Sequence, residues 1–374
     1  MKRIVYVGDN GGLTLHSKHR IIVINPSAYA TRVAVFEEEI CMFEKSIRHP
    51  SEKISSFHGY SDQADYRKQL ILQEVESQGI NLSKCDAVCG RGGLLRPIAG
   101  GTYIVNQPML QDLHNGYHGQ HASNLGGILA YEIASGLNVP AYIVDPVVVD
   151  EMSEVARITG VPEISRVSIF HALNQKSVAR QVASELGKPY QEANFIICHM
   201  GGGITIGAHK NGQVIDVNNG LHGDGPLSVE RAGTVPAGDL IDMCYSGDYS
   251  YQEMMDKIVG NGGLMAFLRT DEIDRIETMI HEGDHQAELL YQAMTYQVAK
   301  ELGAMATVLE GEVEAIILTG KLASHTKLVS TISNKVDWIA DIFVYPGENE
   351  LLALAQGTLR VLRGQEQVKE YIVH

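Results

Sequence analysis

Three consecutive glycines, Gly201-Gly202-Gly203, stand between two apolar stretches at 195–199 and 204–208. Strand, glycine turn and returning strand together can do chemistry. Glycine lets the backbone approach a ligand closely, and successive main-chain N–H groups form a nest for an anion. His199 and Met200 precede the turn and Thr205 follows it. A phosphate-holding turn and a plain hairpin turn both fit these letters. The pattern is not G-x-G-x-x-G opening a helix, so a dinucleotide fingerprint is disfavoured. Arg91 lies within Gly90-Arg91-Gly92-Gly93, and Arg231 between Glu230 and Ala232-Gly233. A planar guanidinium in such a place can grip a carboxylate or a phosphate through two parallel hydrogen bonds; a surface ion pair is the ordinary alternative. Asp145 ends an apolar run, a usual place for an active-site acid in α/β proteins, and equally a capping position. His171 by itself reads as a core histidine on an apolar helix face. His114, His118 and His121 have tempting spacing, but Gly116 and Gly119 interrupt a helix there and no Cys or carboxylate completes a set, so zinc is not expected.

The elements that must position these residues alternate. Residues 21–24 are a continuous apolar run, as expected of a strand buried on both faces. A turn at 25–30 and a strand over 31–36 follow, and Glu37-Glu38-Glu39 reads as a solvated turn. Helices are predicted over 66–78, 125–137 and 169–186, and a buried strand over 141–145. A second cycle begins at Phe195 with the same grammar, a hairpin and then alternating helices and strands. Its helices are predicted over 251–258, 271–281, 285–309 and 351–362, with a buried strand over 315–318. The class is α/β, built from a degenerate internal duplication. The domain boundary is expected near 188–194, giving domains 1–190 and 191–374, with the last helix able to pack back on the first. Residues 1–19 read either as an extra edge strand or as an extension.

Composition narrows the function. A chain of 374 residues favours two domains, and 44% apolar with 20% charged residues is ordinary for a globular protein. A net charge of -15 argues against nucleic-acid or anionic-membrane partners. Five cysteines without C-x-x-C spacing read as reduced thiols, and no run has the length of a membrane span or the form of a signal peptide. A cytoplasmic location is expected.

The segments HMGGGITIGAHKNGQVIDVNNG from His199 and GPLSVERAGTVP from Gly225 resemble the second phosphate loop and arginine segment of the butyrate kinases, in the acetate kinase (acetokinase) family. VDPVVVDEM at 144–152, SIFHALNQK at 168–176, CGRGGLLRPIAGG from Cys89, HASNLGG from His121 and YPGENELLALAQG from Tyr345 are similar to the same family. The resemblance runs from about residue 20 to about 371. It implies a two-domain actin-like ATPase (ribonuclease H-like) fold with duplicated βββαβαβα domains, the first for the acid and the second for the nucleotide. It implies transfer of a phosphoryl group from ATP to a short-chain carboxylate, with Mg2+, ADP as product, and a homo-oligomeric assembly. By the same resemblance Arg91 and Arg231 stabilise the transition state, His171 donates to the transferring phosphoryl group, and Asp145 orients magnesium or the acid. Glu350 is the magnesium-linked acid. Asn25, Thr31 and Arg32 belong to the first phosphate loop, and His199, Gly201, Gly202, Gly203 and Gly320 to the nucleotide side.

The chain departs from the family in three places. The first loop, typically NPGSTSTK, reads Asn25-Pro26-Ser27-Ala28-Tyr29-Ala30-Thr31-Arg32. Lys321 stands where a second glycine is usual, and His222 replaces an acid. Two readings stay open: an active ATP:carboxylate phosphotransferase, or a relative of impaired catalysis that binds nucleotide or acid. An actin- or Hsp70-like ATPase fits the acid-side motifs less well.

Overall fold

The apolar run after Arg20 becomes a strand with no exposed side chain between Ile21 and Ile24, and a sheet is built outward from it on both sides. A computed structural model describes residues 4–6 and 18–373. Its strands are β1 (Ile4–Tyr6), β2 (Arg20–Pro26), β3 (Ala30–Glu37), β4 (Ile40–Arg48), β5 (Ala87–Arg91), β6 (Thr102–Ile104), β7 (Ala141–Val144), β8 (Asn194–Met200), β9 (Ile204–Lys210), β10 (Gln213–Val217), β11 (Ala315–Gly320), β12 (Asp341–Pro346) and β13 (Lys369–Glu370).

The chain forms two compact units. The first contains the described residues of Asn10–Asp150 and Asn349–His374. Its sheet has the order β13-β6-β7-β5-β2-β3-β4, with β2, β5 and β7 parallel, β3 antiparallel to β2, and β4 antiparallel to β3. The alternation of side chains divides the core. Ile22, Ile24, Val88 and Ile143 face Ile71 and Val75 of the helix Ala64–Ser77 and Leu125 and Leu129 of the helix Asn124–Leu137. The other face carries the helix Glu350–Leu362, which packs on β2, β5 and β7 with Gly357 against Val144. Glycine is required where Asn124–Leu137 crosses β5: a Cβ on Gly90 would overlap the main chain of Gly126, and one on Gly126 would overlap that of Arg91. That close crossing fixes the end of β5 and so the root of Arg91.

The second unit contains the described residues of Met1–Asp9 and Glu151–Glu348, with strand order β1-β12-β11-β8-β9-β10. Here β8, β11, β12 and β1 are parallel, and β9 and β10 run back as a meander. Ile196, Cys198, Ile316 and Leu318 face the helices His285–Val308 and Thr326–Val336. Phe195, Ile197 and Ile317 face Val178, Ala179 and Val182 of the helix Ala172–Glu185. That helix therefore belongs to the second sheet, and the division falls at 150/151 and not at 188–194. The apolar face of 172–185 decides this, because its partners lie on strands that follow it in the chain. From the 1–19 segment, Ile4–Tyr6 is an edge strand on β12, while 1–3 and 7–17 lie outside the described residues.

The helices expected at 66–78, 125–137, 285–309 and 351–362 are observed at Ala64–Ser77, Asn124–Leu137, His285–Val308 and Glu350–Leu362. The strand β4 was not foreseen: its short apolar run at 40–43 is followed by polar and charged letters, and most of its side chains are exposed.

Candidate active site

In the first unit the site is built where three parallel strands end. Asn25 is the last residue but one of β2, Arg91 closes β5, and Asp145 follows β7. Glu350 begins the helix Glu350–Leu362, where the positive end of the helix dipole favours a carboxylate. Asn349 just before it holds a left-handed φ of 37°. The Asn25 amide donates to Glu350 Oε2 at 2.5 Å, Arg91 Nη1 lies 2.9 Å from Glu350 Oε1, and the same Nη1 is 3.4 Å from Asn25 Oδ1. Asn25, Arg91 and Glu350 thus form a closed triangle. Glu350 and Asn25 are buried, while 28% of the Arg91 side chain is exposed, so its guanidinium can meet a further anion.

Asp145 is buried, with φ of 38°, and its Oδ1 accepts the N–H of Gly101 at 2.7 Å. A non-glycine residue at such an angle carries backbone strain. The hydrogen bond braces the loop at 100–101 against the end of β7. Among the described residues no three His, Cys, Asp or Glu side chains are grouped to hold a metal. For magnesium, Glu350 fits a place behind water: each of its oxygens already takes a protein donor, and magnesium commonly keeps several waters.

The first loop is organised by a residue the sequence did not single out. Arg67, fully buried on the helix Ala64–Ser77, sends its guanidinium beneath the turn between β2 and β3. It donates to the carbonyls of Ser27, Ala28 and Ala30 at 2.9, 2.9 and 3.0 Å, to Thr31 Oγ1 at 2.9 Å, and twice to Gln63 Oε1. Among the described residues no carboxylate pairs with it, and burial pulls its pKa down to about 10. In a trans peptide the N–H points opposite to the C=O. Drawing the Ser27 and Ala28 carbonyls inward therefore turns the N–H groups of Ala28 and Tyr29 outward.

Thr31 and Arg32 are not presented as ligands. The Thr31 hydroxyl is buried between Arg67 and His49 Nε2, the latter at 2.8 Å, and Arg32 pairs with Glu44 across β3 and β4 at 2.8 Å. The cause is strand alternation: Thr31 faces the core, and Arg32 faces the opposite side. Ser27 Oγ donates to the Ala30 carbonyl at 3.1 Å, and Tyr29 is exposed.

In the second unit the C-terminal ends of β8, β11 and β12 carry Gly201-Gly202-Gly203, Gly320-Lys321 and Gly347-Glu348. None of the three consecutive glycines has a left-handed φ. They are glycine for room: a side chain on Gly202 would overlap the Glu230 carboxylate, and one on Gly203 the Arg231 guanidinium. The 228–231 segment is stapled across the turn. Ser228 Oγ donates to the Gly202 carbonyl at 2.5 Å, the Arg231 N–H donates to Ser228 Oγ at 3.1 Å, and Arg231 Nη1 donates to the Gly220 carbonyl. Burial lowers the Arg231 pKa from its ordinary value. Gly320, at φ of 88°, rests against the Met200 main chain and exchanges hydrogen bonds with Gly347. Lys321 beyond it is exposed, as is His222.

His171 and His199 are stacked, with centroids 3.7 Å apart and planes 9° from parallel. His171 Nδ1 meets Thr205 Oγ1 at 2.9 Å, and His199 Nδ1 meets Asn174 Oδ1 at 2.7 Å. His199 is almost fully buried, and among the described residues its Nε2 has no hydrogen-bond partner, with Glu348 Oε1 3.4 Å away. Asn174 and Glu348 were not foreseen. The only hint was that Asn174 falls three residues after His171, one helical turn on.

The acetokinase family model matches residues 163–339, a stretch that lies inside the second unit. Among solved structures, acetate kinase from Porphyromonas gingivalis is 17% identical, with a TM-score of 0.74 over 92% of this chain and 100% of that one. A propionate kinase from Francisella tularensis is 17% identical, with a TM-score of 0.70 over 91% and 98%. Acetate kinase from Entamoeba histolytica is 16% identical, with a TM-score of 0.71 over 91% and 99%. The chain has the two-domain actin-like fold of these structures.

Two stability measurements test the first loop. Arg67→Met leaves the Ser27 and Ala28 carbonyls without their guanidinium donor, while the Ala30 carbonyl keeps the Ser27 N–H, and should cost about 3 kcal/mol, read as a lower urea midpoint. Burial first, and then the Arg67 charge, depress the His49 pKa from 6.5 to about 4. The unfolded chain then takes up this proton before the folded one. Stability is full above about pH 6.5 and should fall progressively as pH drops toward 4. His49→Gln should flatten that fall in urea midpoints measured across the window, and an unchanged slope would remove His49 as the cause.

Proposed function

We propose that this chain transfers the terminal phosphoryl group of ATP to a short-chain carboxylate, butyrate or a branched analogue, giving ADP and an acyl phosphate. The observation that carries the reading is the Arg91 guanidinium, anchored by Glu350 and Asn25 at the strand ends yet still partly exposed. Transfer to a carboxylate brings two anions together, so positioning and positive charge do most of the work. Arg91 would hold the acid while a carboxylate oxygen attacks the terminal phosphorus and the bond to ADP breaks. Arg231, His171 and the 201–203 turn would take the developing charge and the nucleotide phosphates. Magnesium, held through water by Glu350, would supply charge neutralisation at the phosphates. The match of 163–339 to the acetokinase model and the fold of acetate and propionate kinases support carboxylate phosphorylation in general. The preference for butyrate rests on the motif resemblance, as does assembly of several copies. No helix among the described residues is long and apolar enough to cross a membrane.

A second reading is favoured by the 25–32 turn. The Ser27 and Thr31 hydroxyls are both engaged within the protein, and the residues between them are Ala28, Tyr29 and Ala30. Charge-assisted hydrogen bonds contribute about 1.5–3 kcal/mol each, so loss of two lowers a rate by orders of magnitude. Set against this, the outward amides of Ala28 and Tyr29 offer main-chain donors to a phosphate.

Incubation with ATP, Mg2+, hydroxylamine and acetate, propionate, butyrate or isobutyrate should yield hydroxamate, most with the four-carbon acids. No hydroxamate with any acid would reject the kinase reading. Arg91→Ala should lower kcat/KM by about 10²-fold or more and, by leaving the buried Glu350 carboxylate without its guanidinium, lower the melting temperature as well. If the altered turn limits the rate, the triple change Ser27→Gly, Ala28→Ser, Tyr29→Thr raises kcat, and no gain means the amides already suffice.

A further inference from the structure

Behind His171 runs a buried line of side chains that the proposed chemistry does not use. Thr205, Gln175, His209 and Tyr190 are all at most 4% exposed, and they connect in that order. Donor and acceptor types give the line a direction. The Gln175 amide nitrogen lies 3.1 Å from the main-chain oxygen of Thr205, which can only accept. The nitrogen end of Gln175 must therefore face Thr205, and its oxygen must face His209 Nε2 at 2.9 Å. An amide oxygen cannot donate, so His209 Nε2 carries a proton. Burial, reinforced by the charges of Lys176 and Arg180, holds the His209 pKa well below its ordinary value, so the ring is neutral and Nδ1 is bare. The Tyr190 hydroxyl donates to that nitrogen at 2.7 Å.

The same logic runs toward the site. Gln175 donates to Thr205 Oγ1 at 3.0 Å. The Thr205 hydroxyl has one proton to give, and among the described residues the acceptor in reach is His171 Nδ1 at 2.9 Å. A protonated Nδ1 would leave that hydroxyl proton buried without an acceptor, at a cost of about 1–3 kcal/mol. The stacked His199 is set the other way. Asn174 donates to the Glu348 carbonyl at 3.2 Å, so its oxygen takes the proton on His199 Nδ1.

We propose that Tyr190, His209, Gln175 and Thr205 are positioning residues that lock His171 as the neutral Nε2–H tautomer, so that this nitrogen donates to a phosphoryl oxygen without first having to gain a proton. This rests on the kinase reading for its purpose, but not for the tautomer itself. A neutral donor suits a step in which the terminal phosphate must bind before its charge redistributes. Held rigidly by the relay and by the His199 ring, it costs no reorganisation during transfer.

The test is imidazole nitrogen NMR on the full chain labelled with 15N-histidine, with His171 assigned by the signal lost in His171→Gln. The expected spectrum shows His171 protonated at Nε2 and bare at Nδ1. Gln175→Glu reverses the line: a carboxylate accepts from both His209 and the Thr205 hydroxyl, and His171 should move its proton to Nδ1 or take a second one. Thr205→Val, a β-branched replacement of the same shape, should release the ring to a mixture of tautomers. Should one variant fail to fold, the other decides. Wild-type His171 protonated at Nδ1, or a tautomer indifferent to the variants, overturns the proposal. In the hydroxamate assay Gln175→Glu should lower kcat about 10²-fold while KM for ATP and acid stays unchanged. If the wild type forms no acyl phosphate, the kinase reading falls and the spectrum still decides the relay.

Discussion

A single carboxylate joins the parts of the first unit that matter most. Glu350 touches Asn25 at the end of β2 and Arg91 at the end of β5, and it sits on the first turn of the helix that covers β2, β5 and β7. Its charge is compensated from both sides, by the helix dipole behind and the guanidinium in front. A buried carboxylate without those partners would be costly, so their presence is a condition of burying the helix start at all. The guanidinium is oriented by the same contact and so is ready for a second anion. Stability and binding geometry depend here on one group.

The second unit reaches a similar end by other means. Its triple glycine is not a set of left-handed turn residues. It is a clearing that lets Glu230 and Arg231 lie over the end of β8, with Ser228 stapling the segment to the Gly202 carbonyl. In both units an arginine is brought to the C-terminal edge of parallel strands, where α/β sheets commonly bind ligands. In one the arginine side chain extends from a strand end. In the other it folds back over a turn.

Arg67 shows how a loop can lose hydroxyls and keep a binding surface. A buried cation with no carboxylate partner among the described residues is satisfied by the turn's own carbonyls, and the peptide planes then expose their amides. The orientation that stabilises the cation and the orientation that would receive a phosphate are the same.

Most of the buried strands, the principal helices and the placing of Asp145 at a strand end were legible in the sequence, because apolar runs, glycines and helix stops are local properties of the chain. The motif resemblance added the pairing of the two halves. What the letters did not contain was partnership. Asn25 and Glu350 lie 325 residues apart, and Arg67 lies 36 to 40 residues from the atoms it holds. Thr31 and Arg32 stand side by side in the first loop, and only sheet pairing turns one into the core and the other toward Glu44. The division of the chain at 150/151 likewise follows from which sheet the apolar face of Ala172–Glu185 covers. The sequence by itself determined which elements form and which residues end them. Tertiary structure decided which of those ends meet, because hydrogen-bond partners and ring stacking are selected by chain closure and carry no local periodicity.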